Sequence, residues 1–252
     1  MSLLLDAKHT EHRPWPLPRR PWVLRMTWHE LVFLHWPIDP ALLRPHVPEG
    51  LAIDTFDGSA WLGVVPFRMS GVRPRFVPAL PGVSAFPELN LRTYVTAQDK
   101  AGVWFFSLDV TKPVAVLLAR SLFHLPYFRA RMAMEREDRT IRYASARTQQ
   151  GTEVEFAGEY RACGSVFRSV PGTIEAWLTE RYCLYSADRR GRIFRGEIQH
   201  APWPLQQAEF EIERNTLAGP IGMELSSRPP LAHYSDRLEV VAWALCPVAL
   251  ES

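Results

Sequence analysis

SAFPELNLRTYV (residues 84–95) and VWFFSLDV (residues 103–110) are two strand-like runs joined by a short polar segment, Ala97–Gly102. Two such runs with a short turn between them predict a β-hairpin. Because side chains alternate across a strand, one face of the first run carries leucines, a threonine and a valine. The other face carries an acid, an amide and a guanidinium between two aromatic rings: Phe86, Glu88, Asn90, Arg92 and Tyr94.

This mixed polar face has two interpretations. A closed barrel with a polar, partly dry interior would place charged groups between aromatic rings in this way. An amphipathic strand with its polar side in water would show the same pattern, since antiparallel sheets commonly have one wet face. The pattern alone leaves both interpretations open.

Short strand-like runs and a few helical segments make up the rest of the chain. Strands are predicted at Trp22–Trp36, Leu51–Phe56, Ala60–Met69, Tyr127–Arg136, Thr140–Arg147, Glu153–Arg161, Tyr182–Ser186, Arg192–His200, Leu205–Arg214, Leu231–Tyr234 and Leu238–Leu245. Asp39 and Pro40 predict the start of a short helix, and longer helices are predicted at Val114–Phe123 and after Pro171. Gly71–Gly82 is predicted to be a loop. Many short strands with few helices indicate a mainly antiparallel α+β protein.

Length and charge limit the possible classes of protein. The 252 residues are 47% hydrophobic, which suits one large β domain or two small ones. The formal net charge of +2 gives no electrostatic basis for binding nucleic acid. Residues 1–21 are rich in proline, arginine and histidine, and we predict an extended N-terminal arm.

Cysteine usage and hydropathy point to a cytoplasmic protein without a membrane anchor. Cys163, Cys183 and Cys246 have no metal-binding spacing, and their odd number disfavours a disulfide framework. Residues 1–5 are too short for the apolar region of a signal peptide. The longest aliphatic run, Val114–Ala119, is too short to span a bilayer.

Two histidines lie in the first predicted strand. His29 and His35 are predicted to share a face but to lie about 20 Å apart at ~3.3 Å per residue. That distance is too large for a shared metal ion, so no metal site is predicted. Each is expected to be an interior or rim histidine.

Glu88 is the residue in this chain best suited to acid–base catalysis. Motifs for a phosphate-binding loop, a dinucleotide fold or a serine nucleophile are missing from the sequence. A carboxylate between Phe86 and Asn90 in a barrel interior would have a raised pKa, which suits proton transfer. The structural alternative is a buried ion pair or hydrogen bond with Arg92 or another arginine.

Part of the chain resembles the acetoacetate decarboxylases. Residues 39–51, DPALLRPHVPEGL, resemble the segment after their first strand, and residues 119–126, ARSLFHLP, resemble their Gly-Arg-Glu-Ile-Trp-Gly-Phe-Pro segment. Glu88 falls where those enzymes carry an active-site glutamate. This distant resemblance covers roughly residues 29–135.

A closer resemblance, covering nearly the whole chain after residue 20, is to the YqjF-like bacterial family, which has no assigned activity. It rests on MTWH (residues 26–29), FPELNLRTYV (86–95), LPY (125–127), TERYCLY (179–185) and RGEI (195–198). That family is grouped with the acetoacetate decarboxylase-like fold. The resemblance therefore implies that residues 22–252 form a single closed, mostly antiparallel β-barrel with a central cavity and a few outer helices.

The decarboxylase mechanism does not transfer with the fold. In those enzymes the proline is followed by two lysines, one of which forms a Schiff base with the keto acid. Here Pro126 is followed by Tyr127 and Phe128, neither of which can form an imine. The resemblance retains Glu88 and Arg120, whereas His29 aligns loosely with a substrate-binding arginine.

Three functions are compatible with these residues. The first is an acid–base enzyme in which Glu88 and Tyr127 act on a small oxygenated ligand that Arg92, Asn90 and His29 orient. The second is a non-catalytic sensor or carrier in which Arg92 or Arg120 holds a carboxylate. The third is an interaction module in which Trp15, Trp22 and Trp203 line a surface that binds a partner. We expect a small-molecule ligand, no cofactor and no membrane or nucleic-acid partner; self-association into a homo-oligomer stays open.

Overall fold

The computed structural model describes residues 10–79, 82, 84–111, 123–148 and 153–249. Its main feature is one 13-stranded sheet. The strands are β1 (Leu24–Ile38), β2 (Ala52–Ile53), β3 (Ala60–Pro74), β4 (Phe86–Ala97), β5 (Lys100–Val110), β6 (Tyr127–Glu137), β7 (Thr140–Arg147), β8 (Glu155–Phe167), β9 (Cys183–Ala187), β10 (Ile193–Gln199), β11 (Leu205–Asn215), β12 (Leu231–Ala242) and β13 (Cys246–Pro247). The mainly antiparallel α+β prediction is confirmed, since only the β5–β6 and β5–β9 pairs among the described strands are parallel.

The described helices are short. An α-helix spans Pro40–Leu43, where the Asp39 side chain accepts a hydrogen bond from the Ala41 backbone N–H at 2.8 Å, as the sequence predicts. A second α-helix spans Ile174–Thr179, and 3₁₀ turns cover Arg44–His46 and Gly219–Ile221. With four and six residues, neither described α-helix approaches the length of a bilayer span. All but the last residue of the helix predicted at Val114–Phe123 lies outside the described residues.

The hairpin predicted at residues 84–110 is present as β4 and β5. Its turn is shorter than predicted, because only Gln98 and Asp99 lie between the paired residues Ala97 and Lys100. Both turn residues have positive φ, 51° and 56°, which matches the twist of a two-residue hairpin turn. The hairpin therefore forms with a tight connection and extended strands on both sides.

The strands pair in the order β13-β10-β9-β5-β6-β7-β8-β11-β12-β1-β3-β4-β2. Two further pairings, β4 with β5 and β10 with β12, join strands that are not neighbours in this order. As a result β4 lies between β3 and β5 and shares its backbone hydrogen bonds with both. The strand that carries Glu88 is therefore held on both edges.

Both faces of β4 are buried, which excludes the interpretation of its polar face as solvated. Leu89 and Leu91 pack in one apolar cluster with Tyr143 of β7. Phe86 packs on the opposite side with Phe33 of β1. Glu88 and Asn90, on the same side as Phe86, are only 3% and 4% exposed. The polar face of β4 thus looks into the protein.

Strand β1 does not alternate regularly. Trp28 and Leu31 both contribute to the cluster around Phe33, and Glu30 between them has a φ of 52°. The register with β3 shifts by one residue over the same interval, between His29 and Leu34. This bulge reverses the facing of every later residue in the strand.

Two local predictions are wrong. Strand β3 continues to Pro74, so the first residues of the predicted loop Gly71–Gly82 are strand. The strand predicted at Leu51–Phe56 is shorter than expected, because β2 covers only Ala52–Ile53, which pair with β4. The arm predicted at residues 1–21 has no strand in its described part, residues 10–21, where the buried Arg13 donates to Gln199 of β10.

Candidate functional site

Glu88 and Tyr127 form a buried pair, as proposed from the sequence. Glu88 pairs with Val110 across β4 and β5, while Tyr127 begins β6 and pairs in parallel with Leu108. These pairings bring the side chains together on one side of the sheet. The Tyr127 Oη donates to Glu88 Oε2 at 3.0 Å, and both residues are at most 8% exposed.

Burial is the main cause of the raised pKa values of both residues in this pair. Desolvation raises the pKa of Glu88 to about 8; the charge of Asp109 adds to the rise and the hydrogen bond from Tyr127 opposes it. Burial also raises the pKa of Tyr127 well above its usual range, and the nearby Glu88 carboxylate adds to this. Glu88 is therefore mostly a neutral acid at pH 7, and Tyr127 stays protonated.

Asn90 and Arg92 continue the same face of β4. The Asn90 Oδ1 and the Arg92 Nε are buried and have no hydrogen-bond partner in the described part of the chain. The Arg92 Nη2 donates to Tyr94 Oη at 3.3 Å. Among the described residues, Glu88 forms no ion pair. The ion pair between Glu88 and Arg92 that the structural alternative predicted is therefore absent.

A histidine that the sequence marked only as interior joins this face. His35 is fully buried, and its Nε2 lies 2.6 Å from Tyr94 Oη. Burial lowers the pKa of His35 well below its usual value, and the charges of Arg92 and His233 lower it further. Regular alternation along β1 does not predict this position of His35, because the bulge at Glu30 changes which side of the strand it faces.

The other two predicted ligand-binding residues do not join this group. His29 follows Trp28, whose ring packs on Phe67, and therefore faces the opposite side of β1. Its Nε2 lies 2.7 Å from Ser70 Oγ. The prediction that His29 and His35 share a face is wrong because of the bulge. Arg120 lies outside the described residues.

Among the described residues, no lysine or metal-binding group lies beside Glu88. Lys100 opens β5 at the end opposite Val110, and its Nζ lies 3.2 Å from Glu197 Oε1. Lys8 and Lys112 are outside the described residues. Within those same limits, no three His, Cys, Asp or Glu side chains are placed to share a metal ion.

Most of this chain is similar in sequence to a known protein family. A family model for DUF2071, described as an uncharacterized conserved protein, matches residues 25–239. The chain belongs to the DUF2071 family. It is 44% identical over 224 residues to the uncharacterized protein YqjF of Bacillus subtilis (strain 168), covering 89% of this chain and 92% of that protein.

Solved structures show which fold this DUF2071 chain has. The enduracididine biosynthesis enzyme MppR, complexed with pyruvate, matches with a TM-score of 0.64 and 13% identity, covering 92% of this chain and 93% of MppR. Acetoacetate decarboxylase from Legionella pneumophila matches with a TM-score of 0.61 and 12% identity, covering 98% of both chains. At these identities the likeness establishes an acetoacetate decarboxylase-like fold and nothing about activity.

Proposed function

We propose that this DUF2071 protein binds a small carboxylate or carbonyl compound inside the sheet and that Glu88 exchanges a proton with it. The observation that carries the proposal is the Glu88–Tyr127 pair, a buried acid bonded to a neutral phenol. On the same face lie buried polar atoms of Asn90 and Arg92 with no partner in the described chain. Such atoms are costly to bury and favour a polar ligand.

The proposal includes a closed sheet around this face. Support comes from the pairings of β4 with β5 and of β10 with β12, each of which joins a strand next to one end of the order to a strand in its interior. Apolar side chains from β1, β3, β5 and β12 pack on the Glu88 side of β4. An interior closed in this way would exclude water and would keep the pKa of Glu88 high.

The chemistry proposed is proton transfer at the carbon next to a carbonyl group. Ionised Glu88 takes the proton from that carbon. The electron pair of the C–H bond forms the C=C bond of the enolate, and the π electron pair of the C=O bond moves onto the oxygen. Return of the proton from Glu88 restores the carbonyl compound. Tyr127 positions the carboxylate through its hydrogen bond.

Two points support a carbonyl compound without imine chemistry. The residue after Pro126 is Tyr127, where the decarboxylase pattern has a lysine, so a Schiff base has no amine at that position. MppR, which has the same fold, is described in complex with pyruvate. A fold that accepts a small oxo acid elsewhere supports such a ligand here, by analogy alone.

Deuterium exchange tests the proposal. Pyruvate, 5-oxohexanoate and hexan-2-one are incubated with the protein in D₂O, and loss of the proton signals next to the carbonyl is followed by NMR. We expect exchange with the wild type and at least a ~100-fold loss in Glu88→Gln. Glu209→Gln, at an exposed glutamate paired with Arg161, is the matched control and should retain exchange.

The pH dependence gives a second readout of the same experiment. Because only ionised Glu88 accepts a proton, the exchange rate should rise with pH and level off above the pKa of about 8. Binding of all three compounds without any exchange would contradict proton transfer and would leave a carrier. A profile with its midpoint near 4.5 would show that Glu88 is not the buried base.

A further inference from the structure

A second group of polar side chains lies farther along the same face of β4. Arg92 and His35 both lie over Gly63, where a Cβ atom would come within 3.2 Å of the His35 ring and 3.4 Å of Arg92 Cγ. The missing side chain leaves the space that these two residues occupy. The Arg92 guanidinium also lies 5.2 Å above the Phe33 ring, on which the His35 ring stacks. Arg92 and His35 therefore lie side by side on this inner face.

The hydrogen bonds in this group leave two donors unused. Arg92 Nη2 donates to Tyr94 Oη, and the hydrogen of that hydroxyl is assigned to His35 Nε2, 2.6 Å away. In this arrangement the ring proton of neutral His35 lies on Nδ1. His35 Nδ1 and Arg92 Nε are then buried N–H donors without an acceptor in the described chain.

β12 adds two more unpaired polar groups. His233 lies directly across from Phe33 in the β1–β12 pairing, and Ser235 lies across from Leu31. His233 Nδ1 and Ser235 Oγ are buried and unpartnered in the described chain, and both residues are 1% exposed. Several polar atoms without partners on one inner face indicate an unfilled requirement for a ligand.

The charges around this group favour an anion. Arg92 has no ion pair among the described residues, whereas the nearby Arg181 is paired with Asp54 at 2.6 Å. Glu175 is an acid near this group. Its charge raises the pKa of His233, but the pKa shift includes no hydrogen bond between the two side chains. Arg92 is therefore the uncompensated charge, and it stands beside donors that suit a carboxylate.

We propose that Arg92, His35 and His233 bind the carboxylate of the ligand whose carbonyl group lies at Glu88. The proposal rests on the function proposed above and adds the class of ligand to it: an oxo acid with its two functional groups well separated. Tyr94 positions Arg92 and His35 for this contact.

The strand sets the length of that ligand. Glu88 and Arg92 are four residues apart on β4, which corresponds to about 13 Å at ~3.3 Å per residue. Contacts of about 3 Å at each end leave roughly 7 Å between the carboxylate and the carbon from which Glu88 takes the proton. An oxo acid such as 5-oxohexanoate spans this distance, whereas pyruvate is too short to reach both groups.

A ligand series tests this without any mutation. Titration calorimetry on the full chain would compare 3-oxobutanoate, 4-oxopentanoate, 5-oxohexanoate and 6-oxoheptanoate, with hexan-2-one as the neutral control. We expect affinity to increase by at least about tenfold from the shortest acid to 5-oxohexanoate, and hexan-2-one to bind at least about tenfold more weakly than that acid. Equal affinity along the series, or tight binding of the neutral ketone, would overturn the proposal.

Two variants separate this proposal from the previous one. Arg92→Gln should weaken 5-oxohexanoate at least about tenfold and leave hexan-2-one unchanged, while Arg161→Gln, at an exposed arginine, should change neither. If Arg92→Gln binds every ligand as the wild type does while Glu88-dependent exchange persists, the carboxylate site is wrong and the function stands. If the length dependence is seen and exchange does not depend on Glu88, the function fails and the carboxylate site stands.

Discussion

Two buried carboxylates lie on neighbouring strands of the same sheet but face opposite sides of it. Asp109 on β5 is paired with Leu89, the residue after Glu88 on β4, so the two acids point away from each other. Asp109 accepts hydrogen bonds from Arg147 Nε at 2.8 Å and from Ser145 Oγ at 3.3 Å. Glu88 accepts one from Tyr127, and no cation is paired with it in the described chain.

The difference between the two sites lies in the partner and not in burial. Burial is the largest cause of a raised pKa at both acids, but at Asp109 the charge and hydrogen bond of Arg147 oppose it. At Glu88 a neutral phenol supplies the only opposing contribution among the described residues, and the pKa rises to about 8. A fully paired acid holds strands together, whereas a buried acid without a cation can gain and lose a proton near neutral pH.

The largest expected effect is the pH dependence of stability caused by Glu88. Its pKa in the folded protein is about 8, against 4.5 for an exposed glutamate, so only the unfolded chain ionises between these values. The free energy of unfolding should therefore fall from pH 4.5 to pH 8, by roughly 5 kcal/mol at most, and then level off.

Urea unfolding at several pH values would measure this loss. Glu88→Gln should lose less stability than the wild type over that interval, since it has no proton to release. Glu209→Gln, on the exposed face of β11, should follow the wild type. Parallel curves for the wild type and Glu88→Gln would show that Glu88 is ionised in the folded protein.

Arg147→Met should have the next largest effect. It removes the cation from Asp109 and leaves a carboxylate that is 1% exposed without its charged partner. Loss of one partner of a buried pair typically costs about 3–5 kcal/mol. Arg142→Met is a matched control on β7, because that arginine is 63% exposed and its ion pairs lie at the surface. An unfolding free energy equal to that of the control would contradict the structural role of the pair.

The alternation of polar and apolar side chains in residues 84–95 predicted which residues share the face of Glu88. Together with the strand-like run at residues 103–110, it also predicted the hairpin. It could not show that both faces are covered, because a strand with one polar face is equally compatible with solvent. Leu89 is buried in an apolar cluster that includes Tyr143 of β7, so its burial involves parts of the chain more than fifty residues apart. The contact of Glu88 with Tyr127 is likewise set by the parallel pairing of β5 and β6.

His35 could not be assigned to the site from the sequence because the register of β1 slips at Glu30. A glutamate with a φ of 52° has no reliable mark in the sequence, where glycine or asparagine would be expected. The turn at Gln98 and Asp99 shows the same limit, since it lacks the glycine that usually identifies a two-residue turn. Long-range packing decides both positions.

Tyr127→Phe should have a smaller effect on stability and should also change the pKa of Glu88. Loss of its hydrogen bond should cost about 1–2 kcal/mol, because a buried acceptor loses its partner. That bond lowers the pKa of Glu88, so its removal should raise the pKa above about 8. The midpoint of the deuterium-exchange profile should move to higher pH in Tyr127→Phe and stay in place in Tyr143→Phe. A shift to lower pH would show that Tyr127 does not stabilise the ionised acid.

Ser145→Ala should have the smallest effect, because Arg147 continues to compensate the charge of Asp109. The hydroxyl lies 3.3 Å from Asp109 Oδ2, and its loss should cost about 1 kcal/mol in urea unfolding. The same bond lowers the pKa of Asp109, so the variant should raise that pKa and lose slightly more stability where Asp109 is ionised than at acidic pH, where it is protonated. A cost close to that of Arg147→Met would mean that the hydroxyl and not the arginine sustains the buried charge. The contrast between an acid paired with a cation and an acid without one would then no longer explain the high pKa of Glu88.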